Sequence, residues 1–117
     1  RHDSFRTAEF VALARDYQVA IVLAADGEFP QIADLTAPFV YARIMGTTAT
    51  EANGYAETAI GAWTERVKLL ANGDIPRDLR SVGPAEKTRK QRDVFLYVIS
   101  GYKAHNPKAA MAILERL

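Results

Sequence analysis

The chain contains no cysteine, which excludes disulfides and thiolate chemistry and suits a cytoplasmic setting. Its two histidines, His2 and His105, stand far apart with no metal-ligand spacing around them, so no metal site is expected and no cofactor is indicated. No apolar run approaches the roughly 18 residues that a membrane span requires, and no basic leader with an apolar segment opens the sequence. Charge of one sign is also lacking: 15 basic against 14 acidic residues leave a formal net charge of +1, too little to argue for nucleic acid by itself. Nucleophile elbow, Walker loop and glycine-rich dinucleotide turn are all absent.

What remains is an ordinary globular composition, 49% hydrophobic and 25% charged over 117 residues, enough for one α/β segment with a modest core. The first residue is Arg1, and "RHDSF" reads as the tail of a motif. The polypeptide is therefore expected to extend upstream.

Residues 8–17 place Phe10, Leu13, Ala14 and Tyr17 on one helical face, with Asp3, Ser4 or Thr7 as N-cap. Val19–Asp26 is a short apolar run rich in β-branched residues, the pattern of a parallel strand covered on both faces. Gly27 and Pro30 punctuate a loop. "APFVYARIMG" (Ala37 to Gly46) is a second such strand, with Phe39, Tyr41, Arg43 and Met45 on one face and Val40, Ala42 and Ile44 on the other. A helix is expected from about Tyr55 to Ala71, burying Ile60, Trp63, Val67 and Leu70 and stopped by Asn72-Gly73. Val94–Ser100 forms a third strand. A last helix runs from Pro107, with Asn106 as N-cap and Met111, Ile113, Leu114 and Leu117 as its apolar residues. Strands alternating with helices argue for a parallel sheet.

Residues 72–93 form a polar, basic insertion loop, with Arg77, Arg80, Lys87, Arg89, Lys90 and Arg92 against Asp74, Asp78, Glu86 and Asp93. A solvated insertion with a turn of helix at 85–91 is the plain reading. The sharper one is a contact with nucleic acid or protein through 77–92, although acids dilute the field and no aromatic is interleaved.

Ligands of parallel α/β sheets bind beyond the carboxyl ends of the strands, where the loops converge. Asp26, Arg43 and Ser100 end or nearly end the three strands, and His105 and Asn106 follow the third. Arg1, His2 and Asp3 join that rim if a further strand precedes them. Arg43 is the most informative, because a guanidinium stays charged and must meet a carboxylate, carbonyls or a bound anion. An internal ion pair and an anion clamp are both open. Tyr41, Trp63 and Tyr97 read as core aromatics.

"RHDSF", "FVYARIMG" and "VFLYVISGYKAHNPKAAMAIL", in that order, resemble the C-terminal half of the YecE-like family (domain of unknown function 72). Its members read Arg-His-Pro-Ser-Trp, Phe-Val-Tyr-Val-Arg-Leu-His-Gly and Val-Tyr-Val-Tyr-Phe-Asn-Asn-Asp at these places. The resemblance implies a TIM-like (β/α) barrel, of which this chain supplies about strands six to eight. It places Arg1, His2 and Ser4, then Tyr41, Arg43 and Gly46, and Tyr97 on motif positions. Met45 replaces the motif histidine, Ile99, Ser100 and Gly101 replace the Asn-Asn-Asp run, and the glutamate that precedes the first motif in the family is missing. The polar rim is thus thinned around a retained arginine.

The expectation carried forward is a small phosphorylated or carboxylated ligand at the rim. Arg43, Arg1, Asp26, Tyr41, Ser100 and Asn106 would bind it, while His2 and His105 move protons. Such a piece is also expected to need the rest of the barrel, or another chain, to cover its open sheet.

Overall fold

The computed structural model describes residues 2–25 and 29–117. Three strands, β1 (Leu23–Ala25), β2 (Phe39–Met45) and β3 (Asp93–Ile99), form one parallel sheet in the order β1-β2-β3. Helix α1 (Ala8–Asp16) precedes β1, α2 (Glu57–Ala71) crosses from β2 to β3, and α3 (Asn106–Leu114) follows β3. The chain is thus α/β, with helices alternating with parallel strands as in a segment of a TIM-like barrel.

The alternation in β2 sets the layering. Val40, Ala42 and Ile44 are buried, whereas Phe39 is exposed and Tyr41, Arg43 and Met45 are half-buried. On the buried side, two clusters stack along the sheet. One joins Leu23, Val40 and Ala42 to Leu35, Leu70 and Leu79. The other joins Ala25 and Ile44 to Ile60, Trp63, Ala109, Ala112 and Ile113. Helices α2 and α3 pack on each other and on β3. The strands were expected to be covered on both faces. Only the helical face is, because no second layer of the described chain lies on the other. Tyr97 is accordingly 46% exposed and stacks on Tyr41 (centroids 4.9 Å apart, planes 28°) instead of sitting in a core, whereas Trp63 is buried.

α2 buries the expected Ile60, Trp63, Val67 and Leu70, and it ends at Asn72 with Gly73 in the left-handed region (φ 83°). A side chain at Gly73 would collide with the Lys90 carbonyl. α1 is capped by Thr7, whose Oγ1 accepts from the Phe10 amide at 3.2 Å. Its inner face is Val11 and Ala14, and Leu13 and Tyr17 are exposed. The expected stripe was displaced because α1 packs on the 72–93 loop: Val11 lies so close to Gly83 that a Cβ there would sit 2.8 Å from Val11 Cγ1. α3 likewise turns Ala109, Ala112 and Ile113 inward and leaves Met111, Leu114 and Leu117 exposed. Its start also differs: His105 occupies the N-cap position without a side-chain cap, and Asn106 is already helical.

The insertion loop corrects a second expectation. Residues 72–92 contain no helix, and the loop, largely exposed, is also anchored to the fold. Asp34 is buried and accepts from the Val82 and Gly83 amides at 2.7 and 2.8 Å. Arg15 donates to the Leu35 and Pro84 carbonyls. Residues 32–37 are buried without regular structure, a run that must find partners for its polar groups. Thr36 Oγ1 donates to the Val19 carbonyl at 2.7 Å and accepts from the Ile21 amide, and the Ala33 amide reaches the Arg80 carbonyl.

Candidate functional site

The open face of the sheet carries a cavity at the carboxyl ends of its strands. Alternation puts Arg43 and Met45 on this face of β2, and the parallel register sets Ala24 of β1 beside Arg43. Val22, two residues earlier, shares Ala24's side. The 3₁₀ turn Asp3–Phe5 and α1 bring up His2, Phe5 and Phe10, and Phe29, Pro30 and Ile32 close the wall from the segment before β2. The cavity measures about 360 Å³, within the range of small-molecule sites (about 300–1,000 Å³).

Among the described residues of this wall, Arg43 is the one permanently charged group. Among the described residues, no carboxylate or carbonyl gives its guanidinium an ion pair or hydrogen bond. The same side chain has three partners elsewhere in the chain. Arg92, just before β3, is buried. It donates from Nε to the Ala37 carbonyl (2.8 Å), from Nη1 to the Lys90 carbonyl (2.9 Å) and from Nη2 to Glu86 (2.5 Å). An ion pair was therefore one of two open readings for Arg43, and none forms among the described residues.

His2 lines the same cavity. Its Nδ1 accepts from the Ser4 amide at 3.2 Å, so the neutral ring carries its proton on Nε2. Phe5 packs edge-on against Phe10 (centroids 5.1 Å apart), fixing the aromatic wall next to it. No three His, Asp or Glu groups come together as metal ligands among the described residues.

Of the other expected site residues, Tyr41, Ser100, His105 and Asn106 do not line this wall. Arg1 and Asp26 lie outside the described residues. Tyr41 is stacked on Tyr97, one alternation step below Arg43 on the same face. Ser100, His105 and Asn106 are gathered around the loop that follows β2, at Thr47 and Thr48, where they hold the two loops together. Thr47, buried, donates from Oγ1 to Asn106 Oδ1 at 2.5 Å, and Asn106 Nδ2 donates to the Ser100 carbonyl at 3.0 Å. His105 Nδ1 donates to the Thr48 carbonyl at 3.1 Å and its ring stands edge-on to Tyr102. Ser100 and Gly101 both have positive φ (59° and 58°). A Cβ at Gly101 would fall 2.5 Å from the Thr47 carbonyl oxygen, so only glycine permits this approach of the two loops.

Sequence reasoning missed the apolar lining. Met45 was legible from alternation, whereas the place of Ala24 beside Arg43 came from the register. Phe5, Phe10 and Phe29 come from separate loops and helices and carried no common signal. The basic loop offers Arg77, Arg80, Lys87, Arg89 and Lys90 at the surface, with Arg89 paired to Asp74. Arg92, expected in the nucleic-acid reading, is withdrawn into the fold.

The family profile described as "Protein of unknown function DUF72" matches residues 1–117. The chain belongs to the DUF72 family. No curated protein and no solved structure matches it. Within this DUF72 chain, no helix among the described residues is long and apolar enough to cross a membrane.

Proposed function

We propose that this DUF72 chain binds a small anionic ligand at the carboxyl ends of its parallel strands, with Arg43 as the clamp. The observation that carries this reading is an arginine without a protein partner among the described residues, set in the wall of a 360 Å³ cavity. A guanidinium held between apolar side chains has lost part of its hydration, and a carboxylate or phosphate replaces it through two parallel N–H···O bonds. His2 supplies a second donor from Nε2. Ser100, His105 and Asn106 shape the loops next to the site.

The open face belongs to the same proposal. Phe39, Phe95 and Tyr97 are 38–48% exposed there, and we read that face as the interior of a TIM-like barrel completed by further strands or by another chain. Sedimentation of the 117-residue piece should show self-association or poor folding; a well-folded monomer would sink this part.

The test of the clamp is Arg43→Met in the full-length protein. Binding of phosphate or carboxylate anions, followed by calorimetry, should weaken at least tenfold while far-UV circular dichroism stays unchanged. Unaltered anion binding overturns the reading.

A further inference from the structure

We infer that the ligand of the Arg43 cavity is an amphiphilic monocarboxylate, an aromatic or aliphatic acid, and not a sugar phosphate; this rests on the anion-binding reading above. Two features of the wall decide between them.

The first is charge. The described lining holds one guanidinium, Arg43, and one exposed imidazole, His2, whose Nδ1 is already committed to Ser4. One guanidinium fork matches one carboxylate, oxygen for nitrogen. A phosphate monoester brings about two charges and three acceptor oxygens at neutral pH. In this wall its extra oxygens would face phenylalanine and isoleucine.

The second is the rest of the surface. Phe5, Phe10 and Phe29 contribute three phenyl rings, and Ile21, Ile32 and Met45 add aliphatic surface. The row of hydroxyls on a sugar would meet almost no donor or acceptor among the described lining residues, and unpaired polar groups are penalised on entering an apolar site. An aryl ring or alkyl chain makes favourable contacts throughout, and methionine adapts to its shape. Met45, on the same face of β2 as Arg43, adds an apolar thioether to the lining.

The test is calorimetric titration of the full-length protein with phenylacetate, with straight-chain carboxylates from acetate to hexanoate, with the neutral phenylacetamide, and with inorganic phosphate and glucose 6-phosphate. The expected result has three parts. Affinity rises by up to about fourfold per methylene along the chain series. Phenylacetate binds at least tenfold more tightly than phenylacetamide, and both phosphates bind more weakly than phenylacetate. Arg43→Met removes the preference for acid over amide, and Phe29→Ala flattens the chain-length dependence. The acid–amide comparison needs no variant, so it decides the matter even if a substitution disturbs folding. Tighter binding of either phosphate than of phenylacetate, lost in Arg43→Met, overturns this inference and leaves the anion site standing. Equal binding of acid and amide, or no binding of any anion, overturns both.

Discussion

Arg92 and Arg43 are the same side chain at opposite ends of the same sheet. Arg92 enters from the amino-terminal end, is buried, and spends its guanidinium on two carbonyls and Glu86. Arg43 stands near the carboxyl-terminal end of β2, half-buried, with no such partner among the described residues. The amino-terminal end is built to be closed. There Asp34, Thr36, Arg15 and Arg92 satisfy a buried loop that would otherwise hold unpaired amides and carbonyls. At the carboxyl-terminal end, a charge is left among apolar walls. What separates a structural cation from a binding cation is the census of its partners, and burial alone would have ranked the two the wrong way round.

The sharpest way to break the comparison is Arg92→Met. It strips Glu86 of its partner and leaves the Ala37 and Lys90 carbonyls short of a donor, so urea unfolding of the full-length protein should show a loss of about 3 kcal/mol or more. A loss below about 1 kcal/mol would mean the amino-terminal end is not held as described.

Gly101→Ala comes next. It forces a side chain into the Thr47 backbone at a left-handed φ, and the cost should be about 2 kcal/mol, read from the thermal midpoint. An unchanged midpoint would show that the loops after β2 and β3 can part freely.

Arg43→Met is the counterpart of the first substitution. With no protein partner to orphan and an apolar stem retained, it should change stability by less than about 1 kcal/mol while anion affinity falls. A loss as large as that of Arg92→Met would reveal a structural ion pair after all.

The smallest effect concerns Asp78. Its hydrogen bond and ion pair with Arg66 hold the carboxyl below the usual aspartate range, against a modest opposing effect of burial. A lowered folded-state pKa stabilises the protein above the unfolded value and is lost as pH falls through the folded one. Asp78→Asn should therefore cost about half a kcal/mol at neutral pH, given the exposure of the pair, and the difference should shrink as pH falls and the Asp78 carboxyl takes up its proton. A difference that grew on acidification would contradict this assignment.

Much of this architecture was legible in the residues. The period of two in β2 gave its two faces. The period of 3.6 gave the buried stripe of α2, and Asn72-Gly73 gave its end. Each signal is local, set by backbone geometry over a few residues. The face of α1 was misread, and that of α3 was not legible, for the opposite reason. Both helices carry large apolar side chains on more than one side, and the choice fell to neighbours: the loop at Gly83 took Val11, and close packing on α2 and β3 took Ala109 and Ala112. The anchoring of the 72–93 loop was not legible because its anchors, Asp34 and Arg15, lie 48 to 69 residues away along the chain.

The sequence by itself determined that this is an α/β chain of parallel strands, and that Arg43 sits on the face opposite Val40, Ala42 and Ile44 near the end of a strand. Alternation and propensity depend only on adjacent residues, so one chain suffices to read them. The tertiary structure decided which face stays open, which arginine is paired, and that three phenyl rings from different segments line the cavity that holds Arg43. Those outcomes depend on contacts between distant residues, such as the 55 positions between Arg92 and Ala37, and no local pattern encodes them.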